Sequence, residues 1–402
     1  MPKPKLALIP ASQGSKVFSV LPSDGSGDFD FSRSGKATRI NSQGLIEEVS
    51  NGQSRLNYPM IDGKVVGCPS LLLEPQRGNV ITYSEDFTNA AWEYGGATKT
   101  GNAEISPDGT LNADKIEITT LSSPNLRQTV GVLPNTQYTF SFYVKSSDLS
   151  KLKLSIYDLS NASYIAQDVE KIINSQWLRV SVTFTTPIGC NLIRAFIFQT
   201  SEELGSFYVW GAMLEIGSYQ TSYIPNLTTG STTRSAETCN GAGDSDTFND
   251  SEGVLMAEIS ALNDSQSSAA ITISDSSLSN RVFIGFESGE IRVLCINALS
   301  TTIIDTSGVI LENYNKVTCA YADNTFKLLV NGFQVGDTES FIGSLSGINE
   351  LAFDRGDGAN NFYGNVKQLQ YFQTALTDSE LEELTSWDSF IDMATSQLYT
   401  IQ

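Results

Sequence analysis

Three stretches near the middle of the chain alternate apolar and polar residues with a period of two. In 136–145, Tyr138, Phe140, Phe142 and Val144 alternate with Thr139, Ser141, Tyr143 and Lys145. In 151–157, Leu152, Leu154 and Ile156 alternate with Lys151, Lys153 and Ser155, and in 177–185, Val180, Val182 and Phe184 oppose Arg179, Ser181 and Thr183. A helix cannot keep such a pattern on one face, whereas a half-buried antiparallel strand must. The segments 192–198 and 207–214 are apolar on both faces, as strands inside a core are, and Pro134-Asn135 and Pro187-Ile188-Gly189 supply turns between them. The expectation is a jelly-roll-like sandwich over residues 79–225.

Pro225 and the polar run that follows it end this set of strands. Residues 226–245, rich in Thr, Ser and Gly, read as a linker that sets the reach of whatever comes next. A second set of apolar segments runs from Val254 to Val335. Within it, Asn331-Gly332 lies between 326–330 and 333–335, a strong hairpin signal. One helix is expected, over 378–384. Thr377 and Glu380 form a capping box, and Leu376 and Leu381 stand at the positions of a hydrophobic staple. Residues 246–386 therefore read as a second sandwich and 387–402 as a tail. Residues 1–78 hold one short hairpin, 37–41 with 45–49, and too little apolar surface to fold alone. They read as an extended arm that packs on its own chain or docks on a partner. The whole is all-β: two tandem antiparallel β-sandwiches of jelly-roll type, preceded by an extended N-terminal arm and closed by one short C-terminal helix.

The chain has 45 acidic and 25 basic residues, a formal net charge of −20, and no basic cluster beyond Lys3 and Lys5. Such a surface repels a phosphate backbone and an anionic bilayer, so direct nucleic-acid binding and membrane binding are not expected. No apolar run is long enough to insert in a membrane, and 6–9 is too short for the apolar core of a secretion signal. Cys68, Cys190, Cys239, Cys295 and Cys319 are odd in number and scattered, as reduced thiols of a protein made in a cytoplasm would be. Histidine is absent, which removes Ser-His-Asp and Cys-His catalysis.

Carboxylate pairs are the enzymatic route left, since a glycosidase needs two at a fixed separation. No glutamate here is followed two residues later by aspartate, and Asp168-Val169-Glu170 has no aromatic groove signal beside it. The chain is read as not an enzyme. Flat aromatic rings are the usual platform for a sugar face. The candidates are Trp92, Tyr94, Tyr143, Tyr157 and Tyr208, with Tyr164 a further one. The loop 353–363 is rich in hard oxygen donors. Asp354, Asp357 and Asn360 are candidate calcium ligands, although turn chemistry alone also accounts for the Asp, Asn and Gly residues there.

Two motifs carry a resemblance. Leu72-Leu-Glu-Pro-Gln-Arg-Gly-Asn-Val-Ile-Thr-Tyr-Ser-Glu-Asp-Phe-Thr-Asn-Ala-Ala-Trp92 resembles a stretch that recurs in structural proteins of tailed bacteriophages. So does Trp210-Gly-Ala-Met-Leu-Glu-Ile-Gly-Ser-Tyr-Gln-Thr-Ser-Tyr-Ile-Pro225, followed by Thr232-Thr-Arg-Ser-Ala236. Those proteins carry a carbohydrate-binding-module-like jelly roll between the two motifs. The segment 362–384 looks like the closing strands and helix of laminin-G/concanavalin-A-like lectin domains. The resemblance implies a virion fibre or decoration protein, homo-oligomeric as a trimer or a dimer. Such a protein is made in the host cytoplasm, displayed on the virion surface, attached to other virion proteins and directed at host-surface polysaccharide. The alternatives are a purely structural decoration protein and a polysaccharide hydrolase. No catalytic residue is carried over.

Overall fold

The alternating segments form strands in a computed structural model that describes residues 1–61, 63–266 and 269–386. The expected tail, 387–402, lies outside the described residues. The described chain is almost entirely β, built of antiparallel sheets, with one α-helix at Asp378–Ser386.

Two five-stranded sheets occupy residues 92–216. One runs in the order Trp92–Gly95, Asn125–Gly131, Leu192–Thr200, Lys151–Asp158, Ser163–Ile172. The other runs Ala97–Ile105, Leu111–Ile118, Gly205–Ile216, Gln137–Lys145, Leu178–Thr185. Their inner rows meet in one apolar core, with Leu126, Leu154 and Ile197 from the first sheet against Ile116, Phe140 and Phe207 from the second. The period-two segments thus place Leu, Ile, Val and Phe inward and their polar neighbours outward, as the pleat requires.

A second pair of sheets lies in the later part of the chain. A five-stranded sheet contains Thr301–Thr306, Glu290–Ile296, Arg281–Glu287, Ala269–Ser274 and Glu350–Ala352. It shares its core with an eight-stranded sheet that includes Gly253–Ala261 and Gly364–Phe372. The expected hairpin forms at Asn331-Gly332. Both residues are left-handed, with φ of 51° and 90°, and they join Thr325–Val330 to Phe333–Glu339. The helix begins as expected too. Thr377 Oγ1 accepts from the Glu380 amide at 3.3 Å, the Glu380 carboxylate accepts from the Thr377 amide at 2.9 Å, and Leu381 and Leu384 are buried.

Of the two expectations for the first 78 residues, the structure shows packing on their own chain. Leu6–Leu8 and Ser70–Leu73 both pair with Gly364–Phe372, and Leu6, Leu8, Phe29, Phe31, Leu71 and Leu73 enter the core of the later sheets. The expected hairpin, Ala37–Ile40 with Ile46–Val49, crosses instead to the middle sheets. A segment with too little apolar surface for its own core has buried what it has against both neighbours. Residues 226–245 are not a free spacer. Thr232–Arg234 pairs with Arg77–Asn79, and Thr238–Asn240 pairs with Phe29–Ser32. The Asn226 amide is buried and donates to the carbonyls of Asn79, Ile81 and Gly230. The Thr/Ser composition that suggested a tether belongs to a segment anchored at Asn226 and by two short strands, with 227–231 exposed between these anchors.

Five buried side chains hold these parts together. Glu237 accepts from Arg33 at 2.8 Å and from Arg55 at 2.8 and 2.5 Å. Glu74 pairs with Arg55 and with Arg234, each at 2.8 Å, and all five are at most 2% exposed. Burial alone would push the Glu74 carboxyl up, but the Arg234 and Arg55 guanidiniums outweigh it and hold it at about 2. Hydrogen bonds from the Ser222 amide and hydroxyl add to this. The buried charges in this arrangement are paired with one another, and removing one leaves the others in a low dielectric.

Candidate functional site

The two middle sheets each have an outer face, and only one is open. The outer face of the sheet Ala97–Ile105 to Leu178–Thr185 carries Trp210, Met213 and Tyr143. Ile46 of the arm hairpin and Tyr223 and Ile224 of the following chain close over it, leaving Trp210 and Met213 fully buried. Thr38 Oγ1 donates to the Tyr223 carbonyl at 2.5 Å, tying the arm down. Tyr143 packs beside the Trp210–Tyr223 pair, with ring centroids 5.6 and 6.5 Å away. It borders a cleft of about 220 Å³ where arm, middle and last parts meet, beside Arg179, Arg39 and Asn365.

The opposite face is uncovered and has two cross-strand rows. In the first, the register sets Glu93 opposite Arg127, Arg127 opposite Phe196, and Phe196 opposite Ser155. In the second it sets Thr129 opposite Arg194, Arg194 opposite Tyr157, and Tyr157 opposite Tyr164. Three of these cross-strand pairs are in contact. Arg127 lies 5.6 Å from the Phe196 centroid and donates to Glu93 at 2.9 Å, while the Tyr157 and Tyr164 rings meet edge-on at 4.9 Å. Tyr164 is 39% exposed, and its hydroxyl accepts from the Gln199 amide. At the far end Thr200 Oγ1 donates to Asp168 at 2.9 Å.

Two polar atoms on this face are buried with no hydrogen-bond partner among the described residues: Arg194 Nε, a donor, and Gln199 Oε1, an acceptor. Both lie beside the tyrosine pair. Burial raises the Glu93 carboxyl, but Arg127, with smaller help from Thr129 and Arg194, brings it below the usual carboxylate range. The face thus offers two flat rings and fixed charges of both signs, with two unsatisfied polar atoms buried just beneath them. A polyhydroxylated ring has the complementary chemistry: a C–H face that stacks on aromatic rings and rim hydroxyls that donate and accept.

The five aromatic candidates are scattered. Trp92 is 1% exposed, packed on Phe87 at 4.6 Å, its indole N–H donating to the Tyr83 carbonyl at 3.1 Å. Tyr94 is 54% exposed but points to the same side of its strand as Trp92, at the sheet edge, with Lys99 Nζ 4.5 Å from its ring. Tyr143 and Tyr208 belong to the other sheet, where Lys145 reaches Tyr208 at 5.8 Å and Trp177 at 5.2 Å. Of the five, Tyr157 alone stands on the open face. Arg127, Arg194 and Phe196 were not singled out from the sequence. Phe196 sits in a segment apolar on both sides, and nothing local separates an inward from an outward phenylalanine there.

The acidic loop is occupied by its own contacts. Asp354 is buried, accepting from the Gly356 amide at 2.6 Å and the Asn240 amide at 2.9 Å, and Asp357 pairs with Arg355 at 2.8 Å. Asn360 has a left-handed φ of 52°. Among the described residues no group of three or more His, Cys, Asp or Glu side chains is placed to hold a metal ion.

Comparison with known proteins bears on the same region. No curated protein sequence matches the chain. Among solved structures, a tailspike protein 4 enzymatically active domain of bacteriophage CBA120 shares 16% identity over 35% of this chain, with a TM-score of 0.29, and the chain spans 21% of its length. The CBM22-1 xylan-binding domain of Paenibacillus barcinonensis Xyn10C shares 14% over 36% of this chain and 94% of its own, with a TM-score of 0.29. Domains LG4-5 of the mouse laminin alpha1 chain share 11% over 72% of this chain and 96% of their own, with a TM-score of 0.25. The family model CBM_4_9, carbohydrate binding domain, matches residues 79–200, a family defined by binding and not by a catalytic activity. Those residues, which hold the open face, are a carbohydrate-binding-module-like domain.

Proposed function

We propose that this chain is a structural component of a bacteriophage virion, a head fibre, tail fibre or decoration protein, that binds host-surface polysaccharide. Its binding surface is the open face built on Tyr157, Tyr164, Arg127 and Arg194, with Phe196 buried beneath Arg127, and both two-sheet units are of jelly-roll type. The observation that carries the carbohydrate reading is the uncovered aromatic and polar face lying within the residues matched by the carbohydrate binding domain family. The virion half is supported by the resemblance of 72–92 and 210–225 to tailed-phage structural proteins. Single-face contacts of this size bind weakly, and many copies in a homo-oligomer, trimeric or dimeric, raise the avidity.

The test is a host-polysaccharide pull-down and glycan array with the full chain, run with calcium and with a chelator. Specific binding that falls in Tyr157→Ala and Tyr164→Ala supports the reading, and dependence on calcium would bring in Asp354, Asp357 and Asn360. No binding in either condition, alongside labelling of the chain on purified particles, supports the second reading: a decoration protein that binds no sugar. The buried Arg33–Arg55–Glu74–Arg234–Glu237 cluster favours that second role, since it makes the parts of the chain one stiff connector.

A further inference from the structure

In a chain with a net charge of −20, a buried arginine is expected to find a carboxylate. Four arginines are 8% exposed or less: Arg33, Arg55, Arg234 and Arg281. The first three share Glu74 and Glu237. Arg281 has no ion-pair partner among the described residues. Its Nη1 donates to the Arg355 carbonyl at 2.6 Å, and its Nε is buried without a hydrogen bond.

Arg281 lines a cavity of about 130 Å³ on the outer face of the later five-stranded sheet, with Arg292 and Arg355 beside it and Phe283 and Leu294 as its apolar wall. The Phe283 ring can lie there because residue 285 is glycine; a Cβ at Gly285 would come within 2.8 Å of the ring and 1.9 Å of the Ala269 carbonyl. Arg292 is paired with Asp305 at 2.7 Å and Arg355 with Asp357 at 2.8 Å; Asp357 acts on Arg281 only through space, so of the three Arg281 is the one with no direct carboxylate contact among the described residues. Glu287 also lines the cavity, but its charge acts on Arg292 and it makes no ion pair with Arg281.

We infer that this pocket is a second binding site, separate from the open face of the middle domain, and that it takes the carboxylate of a hexuronate unit of an acidic polysaccharide. The carboxylate accepts from Arg281, flanked by Arg292, and one face of the sugar ring packs on Phe283 and Leu294. The space admits one such group and not an oligosaccharide, whose sites are several times larger. The choice of a sugar acid over other carboxylates rests on the carbohydrate-binding reading above.

Calorimetric titration of the full chain with glucuronate and with galacturonate tests this, with glucose, galactose and succinate as controls. Uronates should bind saturably and glucose and galactose should not. Arg281→Gln should weaken uronate binding roughly tenfold or more, since it removes a charge-assisted contact, whereas Arg292→Gln, whose guanidinium is held by Asp305, should weaken it less. Arg281→Gln should fold with an unchanged or higher Tm, because it removes an unpaired buried charge, and Arg292→Gln alters a half-exposed residue. Absence of uronate binding, equal binding by Arg281→Gln, or equal binding of succinate would overturn the proposal. The two sites fail separately. Polysaccharide capture that survives Arg281→Gln but not Tyr157→Ala, with no uronate binding, removes the pocket and leaves the open face. Uronate binding lost in Arg281→Gln, with no effect of Tyr157→Ala on capture, removes the open face and leaves the pocket.

Discussion

The two outer faces of the middle sheets are written in the same code and meet different fates. On one, Tyr157 and Tyr164 stand at outward positions and face solvent; on the other, Tyr143 and Trp210 stand at equivalent outward positions and are roofed by Ile46, Tyr223 and Ile224. The roof is made of residues that come before and after the sheets in the chain, fastened by the Glu74–Glu237 charge cluster below it. An aromatic residue in an alternating strand is therefore not in itself a ligand platform. It becomes one only where the rest of the chain fails to cover it.

Breaking the fastening should cost most. Glu237→Ala leaves Arg33 without a carboxylate and Arg55 with Glu74 alone in a dry interior, and a loss of about 3–5 kcal/mol is expected by urea unfolding. A loss below about 1 kcal/mol would show that the cluster does not hold the roof. Next comes the contrast between the faces themselves. Trp210→Ala removes a fully buried ring and should cost about 3–5 kcal/mol, whereas Tyr157→Ala, at the surface, should change stability by less than about 1 kcal/mol. Equal losses would mean that the open face is covered in solution.

Titration sharpens the contrast from another direction. Glu85 accepts from the Tyr223 hydroxyl at 3.0 Å under the roof, and burial, aided by Asp108, raises its carboxyl to about 7 against the pull of that hydrogen bond. Its folded form keeps a proton that the unfolded chain loses first, so its contribution is complete below the unfolded value near 4.5 and is lost as pH rises towards 7. Glu74, held at about 2, behaves oppositely; its contribution is present above about 4.5 and is lost as pH falls towards 2. Together they predict a stability maximum near pH 4.5 to 5, each limb falling by up to about 3 kcal/mol. Thermal melts against pH check this, and Glu85→Gln should flatten the limb above pH 5 while leaving the acid limb in place. The smallest effect is on binding. Tyr157→Ala and Tyr164→Ala should each weaken polysaccharide binding roughly tenfold, about 1.4 kcal/mol, with Tyr143→Phe as a control that leaves it unchanged.

Much of the local structure was legible. The strands Gln137–Lys145, Lys151–Asp158 and Leu178–Thr185 lie within a residue of the alternating segments, and the Asn331-Gly332 turn and Thr377 cap formed as expected. The site was less so. Tyr157 was singled out, but its neighbours Arg194 and Phe196 come from a strand nearly forty residues later and join it only through the register of two pairings. A tryptophan at the start of a strand reads the same whether its ring faces in or out, and for Trp92 the Phe87 contact and the Tyr83 carbonyl decide that it faces in.

What the sequence determined by itself is what neighbouring residues can enforce: the period of the strands, the left-handed turn that needs Asn and Gly, the reciprocal hydrogen bonds of a helix cap, and the absence of histidine chemistry. Tertiary structure decided the rest. Glu237 meets Arg33 and Arg55 across 204 and 182 positions of chain, Glu74 meets Ser222 across 148, and the Thr/Ser run between the sheets is pinned at both ends. Such partnerships leave no local trace because they are selected by which surfaces can be buried together. That same selection roofed one sheet, opened the other, and left Arg281 buried without a carboxylate.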